Sequence, residues 1–119
     1  MVTNRTREAQ QAFEQAVRLN PNYARARLGL GDVYLNKAYH QSAAERTQAS
    51  DLEQAIAEYQ RALEVAEPSI KVEALYSLGI VYRLKGETLL NLADYTAADS
   101  AFVLATGYLS DTLDALKNT

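Results

Sequence analysis

The residues best equipped for chemistry do not gather into a catalytic set. His40 is the single histidine and carries the only side chain whose ordinary pKa lies near neutrality, which makes it the first candidate for a general base or metal ligand. On a helix its neighbours at three and four residues are Asn36, Lys37, Ala43 and Ala44, and none of them completes a ligand set. An exposed or interfacial position is therefore expected for it. Gly29-x-Gly31 begins like a phosphate loop, but Tyr34 stands where the third glycine belongs and no strand precedes the motif. Helix packing is the reading for these glycines. Asp94, Asp99, Asp111 and Asp114 supply carboxylates that solvated faces and helix starts explain. No G-x-S-x-G or Walker pattern occurs. The absence of cysteine removes thiolate zinc sites, disulfides and thiol nucleophiles. The expectation is a non-catalytic chain with no cofactor and no metal.

The 119 residues suit one domain, and 48% apolar content with two prolines and five glycines fits a packed chain. A formal charge of -3 leaves no basic excess for phosphates, so neither nucleic acid nor an anionic membrane is an expected partner. Arg5, Arg7, Glu8 and Glu14 interrupt any apolar leader, and no run reaches the roughly 18 apolar residues of a membrane span. A soluble chain, cytoplasmic by default, is expected. Asn4-Arg5-Thr6 matches a glycosylation acceptor, but without a leader it reads as a chance match.

Helical periodicity organises the whole sequence. Ala9, Phe13, Ala16 and Val17 define a first helix that Asn20-Pro21-Asn22 ends. Leu28, Leu30, Gly31, Tyr34, Leu35, Ala38 and Tyr39 define a second. Ser50-Asp51-Leu52-Glu53 reads as a capping box opening the run Ile56, Tyr59, Leu63, with Ser42-Ala43-Ala44-Glu45 as a competing start. The intervening turn falls between about residues 41 and 50. A helix after Pro68 carries Ala74, Leu75, Leu78, Val81 and Tyr82, with Gly86 either ending it or absorbed in it. A last helix holds Tyr95, Ala98, Phe102, Ala105 and Leu109. No alternating strand pattern appears, so the class is all-α with about five helices.

Two patterns recur along these helices. Leu30-Gly31-x-x-Tyr34 returns as Leu78-Gly79-x-x-Tyr82, and Ala9-x3-Phe13 returns as Ala55-x3-Tyr59 and Ala98-x3-Phe102. Each aromatic of the second pattern is followed three residues on by Ala16, Ala62 or Ala105. These residues resemble the tetratricopeptide repeat, whose pattern runs W-x2-L-G-x2-Y, A-x3-F and P over about 34 residues. The resemblance implies antiparallel hairpins stacked as a short right-handed solenoid of about two and a half repeats. It implies one domain over 1–119: an unpaired second helix at 3–20, repeats at 22–67 and 69–110, and a tail or further helix start at 111–119. The chain is expected to begin in mid-repeat.

Two departures from the family stand out. Arg27 and Leu75 occupy the tryptophan position. The gap from tyrosine to the next alanine, about nine residues in the family, becomes 21 from Tyr34 to Ala55 and 16 from Tyr82 to Ala98. The additions, about 12 and about seven residues, lack glycine- or proline-rich composition and are expected to lengthen both arms of both hairpins. A loose loop at the first tip is the alternative, since Gln41, Ser42, Arg46, Thr47 and Gln48 are polar.

By the same resemblance, the first helix of each repeat lines a concave groove that holds a protein or peptide. The residues implied there are Arg25, Leu28, Asp32, Leu35, Glu73, Tyr76, Ile80 and Arg83. Asp32 and Ile80 stand where the family's carboxylate-gripping chaperone adaptors need asparagine-like or basic residues, so that role is not expected. Tyr23, Tyr39, Tyr76, Tyr95 and Tyr108 remain for further contacts. The implied function is protein–protein interaction. The alternatives are a self-assembling scaffold, through a homo-oligomer built on the unpaired first helix, and a regulatory arm of a larger protein.

Overall fold

The computed structural model describes residues 4–118, and these form six helices. They are α1 (Asn4–Leu19), α2 (Ala24–Tyr39), α3 (Ala43–Gln48), α4 (Asp51–Val65), α5 (Pro68–Asn91) and α6 (Tyr95–Lys117). Proline sets two of the boundaries. Pro21 follows α1 in a turn closed by Asn22 N–H on Asn20 Oδ1, and Pro68 opens α5, where its missing donor costs nothing. α2 with α4 and α5 with α6 make two antiparallel hairpins, and α1 lies antiparallel along α2. The shortest molecular dimension is 18 Å, and the helices pack in sequence-neighbouring pairs, α2 on α1 and α4 and α5 on α4 and α6.

Glycines set how closely the helices approach. A Cβ on Gly31 would come within 2.4 Å of the Tyr59 ring, and one on Gly29 equally near the Phe13 ring. Tyr59 is fully buried between Ala55 and Ala62, which are also sealed, so the repeated small and aromatic residues form the inter-helix contact. Arg27, in the tryptophan position, spans the same hairpin. It donates to Glu58 of α4 at 3.0 Å and to the Pro21 carbonyl at 3.1 Å.

The two additions take different forms. The first does not lengthen its hairpin: α2 and α4 stop at 16 and 15 residues, and residues 40–50 turn aside to form α3. Ser42 explains the departure. Its hydroxyl accepts from Glu45 N–H at 3.2 Å while Glu45 accepts from Ser42 N–H at 3.0 Å, which starts a new helix instead of prolonging the old one. The competing start is thus real, and the expected box at Ser50 is not formed: the Ser50 hydroxyl accepts from the Gln54 amide. The extra helix raises the count from about five to six. It is not loose, because Arg46 donates from Nε to the Ala38 carbonyl at 2.8 Å and from Nη1 to Thr88 Oγ1 at 3.4 Å.

The second addition does lengthen its arms. α5 runs 24 residues, absorbing Gly86, and α6 runs 23, continuing through 111–117 instead of ending near 110. The register slides in consequence. Gly79 now lies under Leu109, and Phe102 covers Gly86, seven residues nearer the tip, about 10 Å along the axis. Thr88, in the added turn and buried, is the residue that Arg46 of the first addition reaches, so the two additions pack on each other.

The tip of this hairpin carries backbone strain. Among the described residues Ala93 alone of the non-glycines has a positive φ, 61°. It sits in a Schellman turn, its N–H donating to the Leu90 carbonyl and that of Asp94 to the Leu89 carbonyl. A Cβ there costs about 1–2 kcal/mol, partly offset by the entropy glycine would add to the unfolded chain. Ala93→Gly is expected to stabilise the chain by about 0.5–1 kcal/mol and raise Tm by about 2–4 °C in calorimetry. A Tm that falls would contradict the strain.

Candidate partner-binding groove

The candidate groove residues lie along α2 and α5. Arg25 and Glu73 face each other between the two helices at 3.6 Å, both more than half exposed, so their pairing contributes little to stability and marks the rim. Asp32 lies where Tyr59 Oη rises from α4 and donates to Oδ1 at 2.6 Å. The Ser77 side chain of α5 also acts on this phenol, opposing the rise in its pKa, so α2, α4 and α5 meet here.

This network has a defined charge. Burial, the Asp32 hydrogen bond and the Asp32 charge push the Tyr59 phenol far up, so it remains a protonated donor at any physiological pH. Burial also raises the Asp32 carboxyl above its ordinary value, and Glu73 adds to the rise while the Tyr59 hydrogen bond opposes it. The carboxylate is held by Tyr59, and its residue is exposed and lines an open depression between α1 and α2.

The expected groove residues divide. Tyr76 is 52% exposed, Arg83 is exposed beside Glu87 at 3.7 Å, and Ile80 is half-buried. Leu35 is half-buried against the core. Leu28 is 5% exposed and belongs to the core, so it contributes packing and no surface. Its place in the repeat explains this: Leu28 is covered within the stacked hairpins, whereas Tyr76, its counterpart in the next repeat, is on the open side of α5. Tyr39, 45% exposed, belongs to the surface of α2 beside the groove.

Ser77 and the Tyr59 hydroxyl had not been assigned to the groove from sequence. A signal for them exists. Tyr59 is the hydroxylated member of a position filled by Phe13 and Phe102 in the other copies. Asp32 corresponds to Ile80, and Ser77 to Gly29. A buried phenol needs a partner, and Asp32 supplies it where the other repeat has Ile80.

The other candidates fall where helix chemistry places them. His40 ends α2 and is exposed, Asp94 caps α6 by accepting from Ala97 N–H at 3.3 Å, and Asp99, Asp111 and Asp114 lie exposed along α6. Tyr108 stacks on Tyr82 with centroids 5.7 Å apart, while Tyr23 and Tyr95 are exposed. Among the described residues no three His, Cys, Asp or Glu side chains gather as metal ligands would, and no helix is long and apolar enough to cross a membrane.

Stacked antiparallel hairpins with a recurring Gly-aromatic contact define a helical repeat protein. The family model described as tetratricopeptide repeat matches residues 1–47 and 43–102, and the chain belongs to that family. Repeats of this family generally mediate protein–protein interaction. Neither the curated proteins nor the solved structures yield a match to the chain.

The raised Asp32 carboxyl gives a pH signature. A folded-state value above the unfolded one means that this group's contribution to stability is most favourable below the ordinary carboxylate range and declines as pH rises through the folded value. In urea titrations between about pH 4 and pH 7, Asp32→Asn should flatten the pH dependence, since the amide oxygen still accepts from Tyr59 without ionising. Identical slopes in the two proteins would remove Asp32 from the account.

Proposed function

We propose that the chain binds a peptide or short helix of a partner protein along α2 and α5, and that Asp32 selects a cationic side chain in it. The observation that supports this reading is the 2.6 Å hydrogen bond from Tyr59 Oη to Asp32 Oδ1, which holds the carboxylate of an exposed α2 residue in place. Asp32 and Glu73 outnumber Arg25 there, so a basic residue lowers the cost of holding the two acids together. Leu35, Tyr76 and Ile80 add apolar area beside them, and an aromatic anchor such as Tyr76 is the residue type that dominates binding energy at interfaces. The expected ligand is therefore a segment with a lysine or arginine flanked by apolar residues.

Selection of peptides on the immobilised chain, followed by calorimetric titration, tests this. The double variant Tyr76→Ala with Arg83→Ala should weaken the selected peptide at least tenfold, about 1.4 kcal/mol, with helix content unchanged by circular dichroism. Asp32→Asn should lose the preference for a basic residue. Unchanged affinity in a folded double variant would refute the placement of the groove.

A further inference from the structure

Where the two additions meet, they leave a small depression between α3, α4 and α5. Arg46 of α3, Leu52 and Glu53 of α4, and Lys85, Thr88 and Leu89 of α5 line its volume of about 170 Å³. That is below the roughly 300–1,000 Å³ of small-molecule sites and suits a single side chain. None of the candidate groove residues is part of this lining. Lys85 lies two residues beyond Arg83, about 200° round α5, so the depression and the groove occupy opposite sides of that helix.

The charge of this depression is not balanced. Among the described residues two arginines are half-buried, Arg27 and Arg46. Arg27 is matched by Glu58 at 3.0 Å, whereas Arg46 enters none of the ion pairs among those residues. It donates to the neutral Ala38 carbonyl, at the end of α2, and at 3.4 Å to Thr88 Oγ1. The first contact caps α2 and explains part of the placement. The guanidinium still carries more donors than the two contacts use, and no carboxylate offsets its charge. Lys85 adds a second cation, paired with Glu53 at 2.9 Å, so the lining holds two positive charges against one negative. Carboxylates next to the lining in sequence are engaged elsewhere: Asp51 accepts from Gln41, Glu45 from Ser42 N–H, and Glu87 lies beside Arg83.

Apolar surface continues from the depression toward the hairpin tip. Lys85, Leu89 and Leu92 follow at intervals of four and three residues along one face of α5. Leu89 lines the depression, and Leu92, 43% exposed, lies beyond it at the end of the helix. We infer that this surface binds a segment of a partner protein in which a glutamate or aspartate side chain enters the depression and an adjacent apolar side chain rests on Leu89 and Leu92. Charge complementarity selects the acid: the incoming carboxylate pairs with Arg46 and competes with Glu53 for Lys85. Arg46 belongs to the first addition and Thr88 to the second, so a repeat of ordinary length has no counterpart of this surface. The site uses neither Asp32 nor Tyr76 and stands apart from the groove reading.

Nuclear magnetic resonance titration of the whole labelled chain tests this with two blocked peptides, acetyl-Ala-Glu-Leu-Leu-amide and acetyl-Ala-Gln-Leu-Leu-amide. The glutamate peptide should shift the Arg46 Nε–H and the Thr88 and Leu89 amides and leave Tyr76 unmoved. The glutamine peptide should bind about tenfold more weakly, and the difference should shrink as salt is added. The Lys85–Glu53 pair is largely exposed, so either partner can be replaced with little effect on the fold. Lys85→Gln should weaken the glutamate peptide about tenfold, whereas Glu53→Gln, which frees Lys85, should tighten it about threefold. A pair that only supports the fold gives equal, small losses in both variants, and that result overturns the inference. Equal affinity for the two peptides, or shifts at Tyr76 in place of Arg46, also overturns it. Inorganic phosphate that binds these residues more tightly than the glutamate peptide would make this a small-anion site and overturn the partner reading.

Discussion

Everything in this molecule hangs on helices approaching closely enough for an aromatic ring to lie on a glycine backbone. Gly31 under Tyr59, Gly29 under Phe13 and Gly86 under Phe102 leave no room for a Cβ. These contacts fix both the separation of the helices and the register of each hairpin. Once the register is set, α2 and α5 both pack on α4, and the proposed groove lies along them. Groove residues then vary without disturbing the frame, which is how repeat proteins separate specificity from stability.

The same contact explains why two additions of similar composition end so differently. In the first hairpin Gly31 and Tyr59 keep their pairing, so the added residues have to leave the arms at the tip. The capping residues Ser42 and Glu45 give them a helix of their own. In the second hairpin Gly86 offers an alternative seat one register step along, and Leu109 takes the vacated place on Gly79. That exchange keeps both glycines covered and lets α5 and α6 lengthen. Arg46 and Thr88 then join the two solutions, the short helix of one resting on the long arm of the other.

How much of this could be read from the sequence follows from what each residue reports. The all-helical class, the hairpins and the packing residues were legible, because Leu-Gly-x-x-Tyr and Ala-x3-aromatic patterns encode close approach directly. The number of helices was not, since Ser42 and Ser50 both precede a glutamate at capping distance and only tertiary contacts from Arg46 decide between them. The slide of Phe102 was equally hidden: a seven-residue addition is about two helical turns, and turns can be divided between arms or ejected with no local sign. For the candidate groove residues, the sequence reports spacing and not exposure. Spacing places Tyr76 and Arg83 on an open face, but Leu28 has the same spacing and is lost to the core, because burial depends on which neighbour stacks above. Asp32 is noticeable only as a carboxylate, and its tie to Tyr59 requires α2 and α4 to be in place.

The glycine–aromatic register is open to direct observation by nuclear Overhauser spectroscopy on labelled chain. The account predicts strong cross-peaks from the Gly86 Hα protons to the Phe102 ring and from Gly79 Hα to the Leu109 methyls, with the glycine protons shifted upfield by the ring at Gly86. Cross-peaks from Gly79 to Phe102, the pairing that corresponds to Gly31 with Tyr59, would contradict it.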